Sequence, residues 1–464
     1  MSAIADATTL AAGTMEYSPV RLATAKDLAH LPGDLGLPIL GISIQAALHF
    51  DRTMLGIYEK YGPIAKTNLF FQPGVIVNGP DNVNRIQLNL EDEFSNWVGY
   101  SNTVAEWFGK SVLVRDLEDH RLHRRIVLAA FSAKAMRFYA EKSNEIVDQT
   151  LEKWGRTKSI IALPHVRDML VHIAGKIFYG LDDIAVGSDE LTQAFLAMLN
   201  GMSTLVKWNS WPFKYGKGMK GKKFVRDYLR SLIPLRQSAD GNDLMTNMVR
   251  ASQDDEPPTL SEDELLDHLS LLFFAGYDTT TATLLHMLMH LGMDQDLQQR
   301  LREESLTLGV EALSFSDLTR AEGLHHTFQE TLRLYPALPF TLRGTVKDCE
   351  LGGHRIPAHT QLYIPSIVNH TLPAYWEKPW SFDPWRFSKG REEHKRDQGA
   401  HYYPFGGGAH KCVGMRFAEM NAKIFVHKLL LKYRFRTPHN YSPRMIKLPM
   451  PRPADDLPLF VEKL

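Results

Sequence analysis

The chain has 464 residues, of which 44% are hydrophobic and 23% charged, and its 53 Lys and Arg are balanced by 53 Asp and Glu. This is an ordinary globular composition, which excludes intrinsic disorder, collagen and coiled coil. The formal charge of +0 argues against nucleic acid as the main partner, because domains that bind it carry an excess of Lys and Arg. The two cysteines, Cys349 and Cys412, are too few for a disulfide framework or a four-cysteine zinc site, so either both are buried fillers or one has a chemical task.

Residues 1–20 read as a loose tail, and the whole of 1–30 as a flexible N-terminal segment ahead of one domain spanning 31–464. No Lys or Arg precedes Arg21, so no secretory signal or presequence is expected. No uncharged apolar run approaches the ~18 residues of a membrane span. The expectation is a cytoplasmic protein without a transmembrane anchor. Turn formers from Leu31 to Gly41 predict an ordered loop without helix or strand. Short β-like runs follow at Ile64 to Phe71 and Gly74 to Asn78, then helical spacing through most of 84–330, and further strands at Gln361 to Ile367 and Leu459 to Leu464. The segment from Lys207 to Met219, with more lysines up to 223, mixes aromatic and basic residues. It reads as a mobile lid able to brush a membrane surface, or as a solvated loop.

The longest predicted helix starts at Ser261, where Ser-Glu-Asp-Glu forms a capping box, and its apolar residues continue at helical spacing to Gly292. At 1.5 Å per residue it is roughly 45 Å long, enough to cross a whole domain. Being apolar on most faces, it must run through the interior. Asp278 and Thr279, in Ala275-Gly-Tyr-Asp-Thr-Thr, then need an explanation. One is a Thr bonding its own i−4 carbonyl beside a helix kink; the other is a functional carboxylate and hydroxyl, with Gly276 admitting a ligand to the backbone. His286 and His290 have the i, i+4 spacing of a zinc pair but lack the Glu that would serve as base, so packed histidines are the preferred reading.

The strongest signal is Phe405-Gly-Gly-Gly-Ala-His-Lys-Cys-Val-Gly414. Three glycines permit close approach of a flat ligand, and Cys412 sits just before a helical stretch, where the dipole and free amides favour thiolate. Phe-x-x-Gly-x-x-x-Cys-x-Gly is expected about 0.0005 times by chance at this composition, so a motif outweighs a stray buried cysteine.

This segment closely resembles the haem-binding loop of the cytochrome P-450 superfamily of haem-thiolate monooxygenases, in which the cysteine ligates iron. Three further motifs agree in order. Ala275 to Thr280 matches the family's stretch facing the haem, where small residues leave room for dioxygen, the Thr hydroxyl bonds to it and the acid helps relay protons; Asp278 and Thr279 are thereby the catalytic pair. Glu330 and Arg333, with Arg386 of Phe382-Asp-Pro-Trp-Arg-Phe, match a structural cluster that holds the cysteine loop, although Trp385, Ala337 and His370-Thr-Leu-Pro depart from the usual signatures. His120 and Arg124, one turn apart, with Arg343 and His410, match the partners of the haem carboxylates. Ala275, Gly276, Phe405, Gly406 and Cys412 complete the implied cofactor contacts.

The resemblance covers residues 30–464 and implies a mainly α fold, a single triangular prism with a small β-rich region and a buried haem b (iron protoporphyrin IX). It implies insertion of one oxygen atom from O2 into a hydrophobic substrate, which a thiolate ligand favours. Trp107, Phe274, Tyr277, Phe340 and Met450 are expected to line a large apolar pocket. The chain resembles the family's eukaryote-like bacterial branch that includes retinoid hydroxylases, and a terpenoid or retinoid, a steroid or a fatty-acid-like molecule fits equally. Electrons are expected from a ferredoxin with its reductase or a flavodoxin-type donor, docking on Lys411, Arg416 and Lys423 of a basic strip. A peroxide-dependent hydroxylase, a haem-thiolate isomerase, or a non-catalytic sensor of haem or a lipophile are the alternatives, all disfavoured by the Asp278–Thr279 pair.

Overall fold

The computed structural model describes residues 17–18, 20–181, 184–202, 204, 213–253 and 260–464, with the side chains of 184–189 left aside. The long helix forms over Glu262–Met293, and both arms of its capping box are present: Glu264 N–H donates to Ser261 Oγ (3.3 Å) and Ser261 N–H to the Glu264 carboxylate (3.0 Å). It runs through the main hydrophobic core, which also draws on helices Ala133–Trp154, Ala162–Tyr179 and Met415–Lys432. The architecture is mainly α, as expected. A helix hydrophobic on nearly all sides is stable only where neighbours cover most of its faces, and Ala162–Tyr179, Lys214–Gln237, Glu322–Leu334 and Met415–Lys432 pack against it.

The β structure forms separate small sheets. A five-stranded sheet has the order Ile64–Leu69, Gln72–Val77, Gln361–Pro365, Phe340–Thr345, Phe94–Ser95. Its second and third strands are parallel and the other neighbours antiparallel. A three-stranded antiparallel sheet joins Ser159–Ile161, Pro458–Lys463 and Tyr433–Arg436. The first strand stops at Leu69 rather than Phe71, because Phe70 and Phe71 take positive φ (53° and 66°) in the turn. The strand from Gln361 stops at Pro365, where Ser366–Thr371 turns helical.

Two expectations change. Packing begins before residue 31: Leu28 is buried and Ala23 N–H donates to His359 O (2.9 Å), so residues 20–30 lie on the domain, while 1–16 fall outside the described residues. The expected lid is in part helix. Lys214–Gln237 starts inside it, with Gly218 set so close to Gly201 that a Cβ on Gly218 would lie 3.0 Å from the Gly201 Cα; residues 207–212 are outside the described residues. Gly221 makes a similar close approach, its Cβ position lying 2.4 Å from Ala194 O of helix Ile184–Met202.

The same substitution should therefore have opposite signs at two helical glycines. Gly221→Ala forces two helices apart and should destabilise by about 1–3 kcal/mol. Gly56→Ala, on the exposed face of helix Ser43–Tyr61 with nothing within 4 Å, should stabilise by about 0.5–1 kcal/mol. Urea-unfolding midpoints of the two variants check both.

Candidate active site

Cys412 ends a loop without regular hydrogen bonding and immediately precedes the helix Met415–Lys432. Cys412 N–H donates to Phe405 O (2.9 Å), closing the loop. Burial pushes the thiol pKa up, while the Gly414 and Met415 amides and Arg124 act the other way. The residue nonetheless keeps accessible surface. Gly406 takes φ +66° with nothing closer than 4.0 Å to its Cβ position. The other two glycines serve a protein neighbour rather than a ligand: Cβ atoms on Gly407 and Gly408 would fall 2.2 Å and 1.9 Å from Gln87 atoms of helix Pro80–Leu88.

The loop is held from behind by buried charge. Arg333 Nε donates to Glu330 Oε2 (2.7 Å) and a terminal nitrogen to Oε1 (2.8 Å). Arg386 Nε donates to Glu330 Oε1 (3.1 Å) and its Nη1 to Glu393 Oε2 (2.7 Å). Arg333 also donates to His370 O and Pro379 O, and both guanidinium groups lie over Trp376 (5.0 and 5.9 Å). Glu330, Arg333, Arg386 and Glu393 are 0% exposed, so this is no surface pair worth a few tenths of a kcal/mol. The same helix, Glu322–Leu334, reaches the loop through Phe328 on Phe405 (6.1 Å) and Gln329 O, which accepts from Tyr402 Oη (2.8 Å). Glu393 and Trp376 carry no sequence signal: one sits in a run of exposed charges, the other reads as ordinary core.

Beside the loop lies a cluster of two arginines and two histidines. His120 and His410 lie ring to ring (3.8 Å), and Arg124 on the same helix as His120 donates to Lys411 O (2.5 Å). Burial first, then Arg124 and Arg343, push the His120 pKa down to about 4; burial and Arg343 push that of His410 further. The imidazoles are thus neutral and the two arginines hold the charge. Neither Arg124 nor Arg343 has an ion-pair partner among the described residues. The nearest buried acid, Asp116, is engaged by Ser95 Oγ (2.5 Å) and Asn96 N–H (2.7 Å). Asn96 Nδ2 also lies 3.0 Å from His410 Nδ1, a contact no motif foretold.

The opposite wall is the long helix. From Leu265 to Met289 every residue is buried except Phe274, Ala275, Gly276 and Thr279. Those four mark the one stripe of a core helix that faces open space. Thr279 Oγ1 donates to Ala275 O (2.5 Å), the i−4 bond its position allows. Asp278 points away from Thr279, with Oδ1 3.5 Å from Arg167 of helix Ala162–Tyr179. Burial raises its carboxyl pKa and Arg167 opposes this. The space left by the absent side chain of Gly276 is filled from behind by the Phe178 ring, 3.0 Å from its Cβ position. Phe417, five residues after Cys412, is 3.9 Å from that same point, so the two helices meet beside the cysteine.

The expected pocket residues separate. Phe274 borders the open stripe and packs on Phe108 (4.9 Å). Trp107 is wedged in the core against Gly201, Gly218 and Tyr215. Tyr277 faces away from the stripe and is stacked near Phe273 (6.1 Å), because two residues on a helix turn the side chain through about 200°. Phe340 stacks on Phe50 (5.7 Å) and Phe70 (6.0 Å), and Met450 is buried. The histidine pair is packed as preferred: His286 bonds Ala282 O (2.7 Å) and stacks on Tyr335 (4.1 Å), while His290 stacks on Phe382 (3.8 Å). No cluster of metal-ligating side chains is found among the described residues. Cys349 is buried in the hairpin Cys349–Leu351/His354–Ile356, its thiol pushed up to about 12 by burial.

The basic strip is smaller than expected. Lys423 is buried, bonded to Glu419 (2.7 Å) and Leu318 O (2.9 Å), and Lys428 and Lys432 are paired with Asp148. Lys423 is therefore a structural residue, not a docking one. Lys411, Arg416 and Arg125 remain exposed beside the cysteine loop.

These residues fit a haem. An accessible sulfur under helix amides suits an iron ligand, two arginines lacking carboxylates suit two propionates, and Ala275, Gly276 and Thr279 leave accessible surface on the long helix.

The family model described as Cytochrome P450 matches residues 31–455. "Putative cytochrome P450 136" of Mycobacterium tuberculosis is 31% identical over 437 residues, spanning 92% of this chain and 88% of that protein. "Putative cytochrome P450 120" of Synechocystis is 28% identical over 440 residues (93% and 97%), and "Cytochrome P450 26A1" of Danio rerio 28% identical over 448 residues (92% and 89%). A solved structure described as "Retinoic acid bound cyanobacterial CYP120A1" superposes with a TM-score of 0.84 at 28% identity, covering 94% of this chain and 99% of that one.

Glu330→Ala leaves two buried guanidinium groups short of their shared acid and should destabilise by roughly 3–5 kcal/mol, read from the denaturation midpoint.

Proposed function

We propose, as the chain belongs to the cytochrome P450 family and is a monooxygenase of it, that it hydroxylates an isoprenoid-derived substrate of retinoid or terpenoid type with electrons from a separate acidic protein. The single observation that carries the catalytic reading is the accessible stripe of Phe274, Ala275, Gly276 and Thr279 on an otherwise buried helix that meets the Cys412 helix. The substrate class is supported by the relatives, among them the retinoic-acid-bound structure and the "Taxane 10-beta-hydroxylase" of Taxus cuspidata, 26% identical over 447 residues.

Haem, held by Cys412 with Arg124, Arg343, His120 and His410 toward its carboxylates, would supply activation of dioxygen. The chain's own residues do the rest. Ala275 keeps the helix surface low beside the cavity. Thr279 presents a hydroxyl there, oriented by its bond to Ala275 O. Asp278, raised by burial, exchanges a proton nearer neutrality than an exposed carboxyl, and Arg167, partly exposed, connects it to solvent. Phe274 and Phe108 exclude water and offer an apolar surface to the substrate.

Lys411 and Arg416, one residue before and four after Cys412, are exposed, as is Arg125 next to Arg124. That placement suits a ferredoxin or flavodoxin-type donor with an acidic face.

Reduced, CO-bound protein should show a Soret band far to the red of histidine-ligated haem proteins, and Cys412→His should move it to the histidine position; an unshifted band in the variant would refute ligation by Cys412. Thr279→Ala should keep electron consumption but lower product per electron pair about 10-fold or more. The double variant Lys411→Glu/Arg416→Glu should slow reduction by the donor about 10-fold and flatten its salt dependence in stopped-flow measurements.

A further inference from the structure

Away from the haem site, one buried polar line ties the helix Leu117–Ala129 to the long helix. Val112 N–H donates to His268 Nδ1 (3.0 Å), His268 Nε2 meets His123 Nδ1 at 2.8 Å, and His123 Nε2 lies 3.3 Å from Asp119 Oδ1. Both imidazoles are buried, at 3% and 0% exposure. The ends of this line are fixed. A backbone amide can only donate. At the other end, against the upward push of burial, hydrogen bonds from His123, Tyr17 and Arg115 hold the Asp119 carboxyl well below the usual range, so it only accepts.

These ends leave one arrangement of protons. His268 must accept at Nδ1 and so carries its proton on Nε2; His123 then accepts at Nδ1 and donates from Nε2 to Asp119. Both rings are neutral. An additional proton has no place in the line. On His123 Nδ1 it would oppose the His268 Nε2–H, and passed along by a tautomer shift it would oppose the Val112 N–H. Any third proton therefore breaks one of the three links.

We infer that His123 and His268 are positioning residues, a neutral two-histidine lock that keeps the helix bearing His120 and Arg124 in register with the helix bearing Asp278 and Thr279, and that releases this register on acidification. The inference rests on the haem reading above, since His120 and Arg124 matter to function only as partners of the haem carboxylates. The titratable and charged groups facing the pair are Asp119 and the neutral His120 on the first helix, Glu264 on the long helix (3.9 Å from His123 Nε2) and Arg115, which is itself held by Asp119 (2.8 Å) and Glu264 (2.6 Å). Tyr17 joins through Asp119. Burial, then His123 and Arg115, push the His268 pKa well below its ordinary value. A histidine lowered in the folded state is stabilising above its unfolded pKa of about 6.5, and that stability is lost as pH falls below this value, because the unfolded chain takes up the proton first.

The test uses the haem-loaded full chain. Nitrogen-15 NMR of labelled histidines at pH 7.5, assigned with single variants, should show His123 and His268 both neutral with the proton on Nε2; a proton on Nδ1 of either ring, or an imidazolium, would overturn the lock. Haem retained after gel filtration between pH 7.5 and 5 should fall in the wild type. His123→Gln, which accepts and donates without titrating, should move that midpoint down by at least about 0.5 pH unit, whereas an unchanged midpoint would overturn the coupling. His123→Phe, which breaks the line at every pH, should lose haem already at pH 7.5. If no haem is held at any pH while both tautomers are as stated, the lock stands and the haem reading falls.

Discussion

Glu330 holds two arginines where no water reaches, and the placement of the cysteine depends on it. A sulfur that must stay accessible inside a dry core cannot sit in a helix or strand, whose own packing would cover it. It needs an irregular loop, and such a loop has no hydrogen-bond ladder to keep its shape. The network of Glu330, Arg333, Arg386 and Glu393 supplies the missing rigidity: Arg333 reaches His370 O and Pro379 O, Arg386 reaches Glu377 O, and the helix carrying Glu330 supports Tyr402 and Phe405 directly. Buried ion pairs add little net stability compared with apolar packing, but losing one partner is costly, so such a network acts as a geometric constraint.

The cavity in front of the loop is defined by what is left over. Arg124 and Arg343 lack acids among the described residues, and the two imidazoles beside them are driven neutral by burial and by those same arginines. Half-buried positive charge without acids suits anionic groups. On the facing helix, four accessible positions interrupt more than twenty buried ones. Charge on one side and small side chains on the other describe a slot for a flat, dianionic, apolar body. The histidine line between Val112 and Asp119 keeps the two sides aligned through groups that touch neither.

Much of the site was legible from short spacings. Cys412 ahead of a helix, Asp278 and Thr279 inside an apolar helix, and His120 and Arg124 one turn apart are all local patterns, and local patterns survive in sequence. What escaped reading was contact between distant segments. Glu393 completes a network begun sixty residues earlier and lies in a run of charges that reads as solvated. Gly407 and Gly408 were assigned to a ligand, yet their freedom serves Gln87. Lys423 has the composition of a docking residue and the burial of a structural one. Tyr277 lies between Gly276 and Thr279 of the accessible stripe and turns its ring to the opposite side.

By itself the sequence determined the family and the reaction class, because the cysteine motif and the Ala275–Thr280 stretch that mark them are specified by residue type at fixed short separations. It also determined the long helix, whose capping box and uninterrupted apolar run require a buried position. Only the tertiary structure decided which charges are free and which are spent, which aromatics line the cavity and which fill the core. It also decided that His123 and His268 share one line of protons. The physical reason is that burial and pairing are properties of neighbours brought together by folding, and no residue type announces them in advance.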